Sequence, residues 1–90
     1  MWIEAEDYYV LIHSRRGRHM LRATLASLEE RLDPQMFLRI HRAAIVNVNE
    51  IREIRDAGRL VVLLSTGAQA IVSRSRRRQV EAALLPRFRV

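Results

Sequence analysis

The sequence predicts a mostly β domain, a meander of short hairpins with one small internal helix and one terminal helix. Three observations predict it. Short β-branched and aromatic stretches recur along the chain, separated by turns that carry glycine or aspartate. Only two stretches space their apolar residues at three and four, as a helix requires. And ninety residues support one domain with a modest core, hence a single two-layer unit.

The elements follow in order. Residues 2–5 form a short strand, interrupted by Glu6 and Asp7. Residues 8–13 are aromatic and β-branched and form a second strand, in which alternation turns one of Tyr8 and Tyr9 inward. Residues 14–18, with Gly17, read as a hairpin loop, and residues 19–22 return. His13 and His19 face each other across that hairpin as an ordinary cross-strand pair; two histidines without a third ligand do not make a metal site. Thr24 is an N-cap, Leu25, Leu28 and Leu32 line a helix over 25–32, and Asp33-Pro34 ends it.

Residues 37–40 and 43–48 are strands, with His41 and Arg42 at the bend between them. Residues 51–55 alternate apolar and charged side chains, the pattern of a half-buried strand. Residues 56–59 are a turn around Gly58. Residues 60–64 are continuously apolar, which suits a strand covered on both faces. Residues 65–68 turn at Gly67, and 69–72 form the last strand. Ser73 or Ser75 caps a final helix that runs to about Leu85 and is closed by Pro86; residues 87–90 fit no element. Trp2 and Phe37 belong to the core.

Composition narrows the partner. The net charge is +6 and the pI about 11.4, and all sixteen basic side chains are arginine. GC-rich coding explains most of the arginine-for-lysine choice, but not the clustering of arginines in residues 37–47 and 72–78. A polyanionic partner fits both the sign and the fork geometry of the guanidinium. The chain has no cysteine, which excludes a disulfide framework, a thiol nucleophile and a cysteine zinc site and suits the cytoplasm. No apolar run approaches a membrane span, so no membrane contact by this domain is expected. Met1-Trp2-Ile3 lacks the shape of a signal peptide, and the chain opens inside a strand, as a piece of a longer protein would. No residues have the spacing of a catalytic, metal or cofactor site. Gly58 and Gly67 are isolated turn glycines, Ser73 and Ser75 lack a basic partner, and Glu29, Glu30, Asp33 and Asp56 have no reason to converge.

The terminal helix can be read by angle. Val80, Ala83 and Leu84 form its apolar stripe. Arg74 and Arg78 fall opposite it and face solvent or a ligand. Arg77 lies four residues before Glu81, at ion-pair spacing. Arg76 falls beside the stripe, where its stem packs and its head reaches out.

Taken together, these motifs resemble the LytTR DNA-binding domain of bacterial response regulators. Residues 3–10 look like that family's opening strand pair, and the leucine helix followed by Asp33-Pro34 occupies the place of its short helix. Phe37-Leu38-Arg39-Ile40-His41-Arg42 followed by Ile45-Val46-Asn47 matches its central signature. Residues 51–54, the Gly58 and Gly67 hairpins and Val72-Ser73-Arg74 before a helix complete the likeness, which covers residues 1–90 as a single domain. Three places depart from the family pattern: Ala43 and Ala44 stand where a serine and an aromatic are usual, Arg76 where an aromatic is common, and Glu6-Asp7 beside Tyr8.

The resemblance implies an elongated fold of stacked antiparallel sheets. It also implies sequence-specific binding of double-stranded DNA by loops rather than by a recognition helix. Carried over by position, base-edge contacts fall on Arg42, on Arg74 and on Tyr8 or Tyr9. Phosphate contacts fall on Arg39, His41, Ser73, Arg76 and Arg77, with Arg78 added from its place on the helix. The family further implies pairs of domains on direct repeats at promoters, and a receiver or sensor domain elsewhere in a two-component regulator. The competing readings are a basic protein-interaction module and an RNA or single-strand binder. The latter needs exposed aromatics, and most of the five read as buried.

Overall fold

A computed structural model describes residues 2–6 and 8–88. Five strands, β1 (Trp2–Glu6), β2 (Tyr9–Ser14), β3 (Gly17–Leu21), β4 (Phe37–His41) and β5 (Ala44–Asn47), form one antiparallel sheet in the order β3-β2-β1-β5-β4. Three more, β6 (Ile51–Asp56), β7 (Leu60–Leu64) and β8 (Gln69–Ile71), form a second antiparallel sheet in chain order. Helix α1 (Leu25–Arg31) connects β3 to β4, and α2 (Arg77–Leu84) follows β8 through a 3-10 turn at Arg74–Arg76.

Two apolar clusters hold the layers together, and β5 separates them. Its Ala44 and Val46 point into the main core, with Leu38 and Ile40 of β4, Ile54 of β6, Val62 and Leu64 of β7, and Val80 and Leu84 of α2. Its Ile45 points the other way, into a smaller cluster with Ile3, Val10 and Leu25 of α1. The alternation of β5 therefore feeds two layers at once, which explains why its face-to-face neighbours are all apolar. Each fully buried aliphatic side chain stabilises the fold by about 1.5–3 kcal/mol. On β7, Leu60, Val62 and Leu64 enter the core and Leu63 is also buried, so its apolar run is covered on both faces.

Local chemistry sets the boundaries. Thr24 Oγ1 accepts the Ser27 N–H at 3.1 Å and starts α1. After α1, Asp33 Oδ1 accepts the Gln35 N–H at 2.9 Å and turns the chain into β4. The β2–β3 hairpin is tighter than expected. Ser14 pairs with Gly17 around a loop of Arg15 and Arg16 alone, and Gly17 takes φ +121°, a value that disfavours any side chain.

The structure corrects several details of the sequence reading. His19 pairs with Ile12 and His13 with Arg18, so the two histidines lie on opposite faces. His13 instead stacks on Trp2, with ring centroids 4.3 Å apart, and its Nε2–H donates to Glu4 at 2.8 Å. Tyr8 lies in the β1–β2 turn, outside the strand alternation, so neither it nor Tyr9 points inward; they are 80% and 42% exposed. Trp2 and Phe37 are half-buried against the two clusters. Ala83 is exposed, because α2 is anchored by Val80 and Leu84 alone. Ser73 holds the cap position of the 3-10 turn without a side-chain cap bond, and α2 proper begins after Arg76. Phe88, in the unassigned tail, packs on the main core. Asp7, and the tail beyond Phe88, lie outside the described residues.

Candidate nucleic-acid interface

Antiparallel pairing sorts the connections to two ends of the layers. The β1–β2, β4–β5 and β6–β7 turns and the β8–α2 junction gather at one end. The β2–β3 and β7–β8 turns and the β5–β6 link gather at the other. The first end therefore collects Tyr8, Tyr9, His41, Arg42 and Arg74, which lie far apart in sequence.

The β4–β5 turn is braced from below. Arg39 is half-buried, and its guanidinium donates to the carbonyls of Arg42 (2.8 Å) and His41 (3.3 Å) and to the Glu29 carboxylate of α1 (3.2 Å). The backbone N–H of Ala43 donates to His41 Nδ1 at 3.1 Å. That bond makes Nδ1 an acceptor, so a neutral ring carries its proton on Nε2. Arg42 itself is exposed, and no described carboxylate lies within ion-pair distance of it. The turn thus spends one arginine to hold another free.

The β8–α2 junction docks beside it. Ser73 N–H donates to Ile40 O at 2.9 Å, so Arg74 emerges next to the end of β4. Arg74 and Arg78 are exposed and, among the described residues, have no ion-pair partner. Arg76 is half-buried with Nη1 4.0 Å from Glu29. Arg77 bridges two acids, Glu81 at 2.8 Å and Asp56 at 2.6 Å. The hydrogen bonds to Glu81 first, and to Asp56 second, push its pKa above the ordinary arginine value. Its charge is therefore balanced from within.

The His41–Arg42 turn is a ridge between two hollows. On one side lies a hollow of about 410 Å³ lined by Tyr8, Tyr9, Arg22, Thr24, Arg39 and Arg42. On the other lies a recess of about 190 Å³ lined by His41, Gly58, Arg59, Ser73, Arg74 and Arg77. Three of the four positions assigned to base edges thus adjoin the first hollow, and the fourth adjoins the second. Arg76 and Arg78 line neither. Arg22 and Arg59 were not among the expected site residues. The sequence placed Arg59 in a turn, and nothing local indicates which other turn it meets; the stacking of the two sheets, through Val72 N–H to Leu60 O and Ser73 N–H to Ile40 O, brings it to His41.

Residues 1–85 match the LytTr DNA-binding domain family. Curated relatives include the CO-responsive transcriptional regulator RcoM of Rhodospirillum rubrum, 39% identical over 74 residues, covering 80% of this chain and 31% of that one. The transcriptional regulatory protein LytR of Staphylococcus aureus is 31% identical over 75 residues, covering 81% and 30%. Among solved structures, the LytTr DNA-binding domain of a methyl-accepting/DNA response regulator from Bacillus cereus superposes with a TM-score of 0.87 at 28% identity, covering 93% of this chain and 79% of that one. The chain spans about a third of the length of these curated relatives.

Proposed function

The chain belongs to the LytTR family of DNA-binding domains of transcription regulators, and from that premise we propose that it reads specific duplex sequences as the output domain of a longer bacterial regulator. One observation carries the finer reading: Arg42 and Arg74, exposed and uncompensated among the described residues, flank a single braced turn. Arg42 and Arg74 grip base edges in the major groove. A bidentate arginine–guanine contact discriminates against the wrong base by about 1–3 kcal/mol. Tyr8 and Tyr9 contribute to the same readout from the opposite wall of the larger hollow. His41, Ser73 and Arg78 meet the phosphate backbone, which supplies salt-dependent affinity.

Arg39 and Arg77 support this surface indirectly. Arg39 fixes the Arg42 carbonyl, and Arg77 cancels Asp56 and Glu81 next to Arg74. We assign Arg39 and Arg77 to positioning because their guanidiniums are already hydrogen-bonded, and Arg76, which has only a 4.0 Å contact to Glu29, stays a phosphate contact.

The regulator acts in the cytoplasm, pairs on direct repeats at promoters, and takes its signal from a receiver or sensor domain. The relatives, about three times as long as their matched segments, support a further domain. The isolated domain is monomeric. A stable dimer without DNA in light scattering would contradict that.

The test is selection from a random duplex pool at about physiological salt, where nonspecific binding is weak. Enrichment of a short motif repeated at whole helical turns supports direct-repeat reading. Retention without enrichment leaves only a basic surface and favours the protein-interaction reading. The exposure of Tyr8 and Tyr9 favours a second reading, base stacking on single strands. Competition by single-stranded oligonucleotides at least as effective as duplex would put that reading first.

A further inference from the structure

We propose that the recess beside the His41–Arg42 turn seats one phosphodiester group of duplex DNA, with Arg59 of the β6–β7 turn as a further phosphate-binding residue. The proposal rests on the DNA-binding reading above and extends its footprint to the second sheet.

The recess presents donors and few acceptors. Arg59 and Arg74 are exposed, and neither has an ion-pair partner among the described residues. His41 offers Nε2–H, because its Nδ1 already accepts from Ala43. Ser73 offers a hydroxyl whose nearest polar neighbour is the Ser75 hydroxyl at 3.5 Å. Asp56, the acid at the end of β6 before the β6–β7 turn, is held by Arg77 at 2.6 Å. Arg77 is therefore a positioning residue here: it removes a repulsive charge rather than adding an attractive one.

The walls are fixed to one another. Ser73 N–H donates to Ile40 O at 2.9 Å, joining the β8–α2 junction to β4, and Val72 N–H donates to Leu60 O at 2.8 Å, joining it to β7. Ile40, Leu60 and Val72 are all buried. In the β6–β7 turn Gly58 takes φ +81°, and Ala57 N–H donates to Arg59 O at 3.0 Å. The donors line one recess from connections whose backbones are hydrogen-bonded to one another, which lowers the ordering needed when an anion arrives. Arg55, on the same sheet, shows the contrast: it is exposed too, but its guanidinium is bound to Glu53 at 3.0 Å.

The experiment is a salt series of binding to a fluorescent random-sequence duplex for the wild type, R59A, R59K and R55A. Loss of one phosphate contact lowers the slope of log affinity against log salt by about 0.9. R59A is expected to show that drop, R59K to restore most of it, and R55A to leave the slope unchanged. The exposed Arg59 head makes no hydrogen bond among the described residues, so R59A should melt like the wild type. An unchanged slope in R59A, with salt-dependent duplex binding by the wild type, would overturn this proposal and leave the DNA-binding reading standing. Absence of salt-dependent duplex binding by the wild type would remove that reading itself. A second measurement follows the His41 ring nitrogens by NMR. The duplex should shift Nε2 in the wild type and less so in R59A. A saturable shift with inorganic phosphate at matched ionic strength, and none with duplex, would assign the recess to a free anion and overturn the proposal.

Discussion

Both ends of the stacked sheets carry exposed arginines, and they differ in what surrounds them. At one end Arg42 and Arg74 stand on a turn and a junction tied to each other's strands, with Arg39 and Arg77 absorbing the nearby acids. At the other, Arg15 and Arg16 form the bare tip of a hairpin. The only described acid near them is Glu50, which Arg15 approaches at 4.0 Å and which also binds Ser65. Positive charge alone does not separate the two ends. What separates them is that one end braces the backbone that carries its exposed arginines, and the other carries them on a two-residue hairpin loop. A side chain that must be ordered on binding gives up about 0.5–1.5 kcal/mol of the interaction.

The largest expected effect tests that difference directly. Arg42→Ala and Arg74→Ala should each remove about 1–3 kcal/mol of discrimination between a selected duplex and a scrambled one. Arg15→Ala and Arg16→Ala should weaken both duplexes alike and leave the ratio unchanged. Competition binding reads both quantities. If the hairpin variants also flatten the preference, the two ends are equivalent and the comparison collapses.

Next comes the brace. Arg39→Lys keeps the charge but cannot donate at once to two carbonyls and Glu29. Hydrogen bonds from a charged group contribute about 1.5–3 kcal/mol, shared here between turn stability and binding. The expected outcome is a loss of sequence preference of about 1 kcal/mol, with the salt slope nearly intact. A reduced slope with preference retained would make Arg39 a phosphate contact after all.

A smaller effect should appear on removing an acid. Glu29 lies 3.2 Å from Arg39 and 4.0 Å from Arg76, so its negative charge sits beside the surface proposed to meet DNA. Glu29→Gln should raise affinity for every duplex by roughly twofold to fivefold, since exposed pairs are worth about 0–1 kcal/mol. Weaker binding would show that Glu29 serves the turn more than it opposes DNA.

These contrasts also mark how far the sequence could be read. Strand alternation, turn residues and two short helical stretches identified nearly every element, because periodicity and capping are local. The arginine clusters, contiguous in 37–47 and 72–78, marked the end proposed here to meet DNA. What escaped was register. A two-residue loop at Arg15 and Arg16 instead of a longer one moves His13 and His19 to opposite faces. Tyr8 was given an inward alternative because it was counted into a strand it precedes. Arg59 escaped for a deeper reason: its neighbours His41 and Arg74 come from two other connections, and only the stacking of the two sheets brings the three together. Long-range pairing of this kind leaves no mark on the local sequence around Gly58.

The smallest effect lies at the other end and depends on pH. The Ser65 hydroxyl bonds the Glu50 carboxylate and, with a lesser contribution from Arg15, holds its pKa below the ordinary glutamate value. A depressed carboxylate stabilises the fold above its ordinary titration range, and that stability is lost as pH falls through the depressed value. Acid should therefore loosen the link between the β5–β6 segment and the β7–β8 turn. Glu53, held down first by its hydrogen bond from Arg55, loses its share over the same range. Comparing the wild type with Ser65→Ala in urea at neutral and acid pH isolates Glu50, because Glu53 is common to both. The variant should be slightly less stable at neutral pH, and the gap should close in acid. Parallel losses would show that Glu50 draws its stability from elsewhere. In contrast, the Arg77 cluster has a raised arginine pKa, whose contribution is present at all pH values below that of the unfolded side chain. Arg77 therefore stays charged throughout that range.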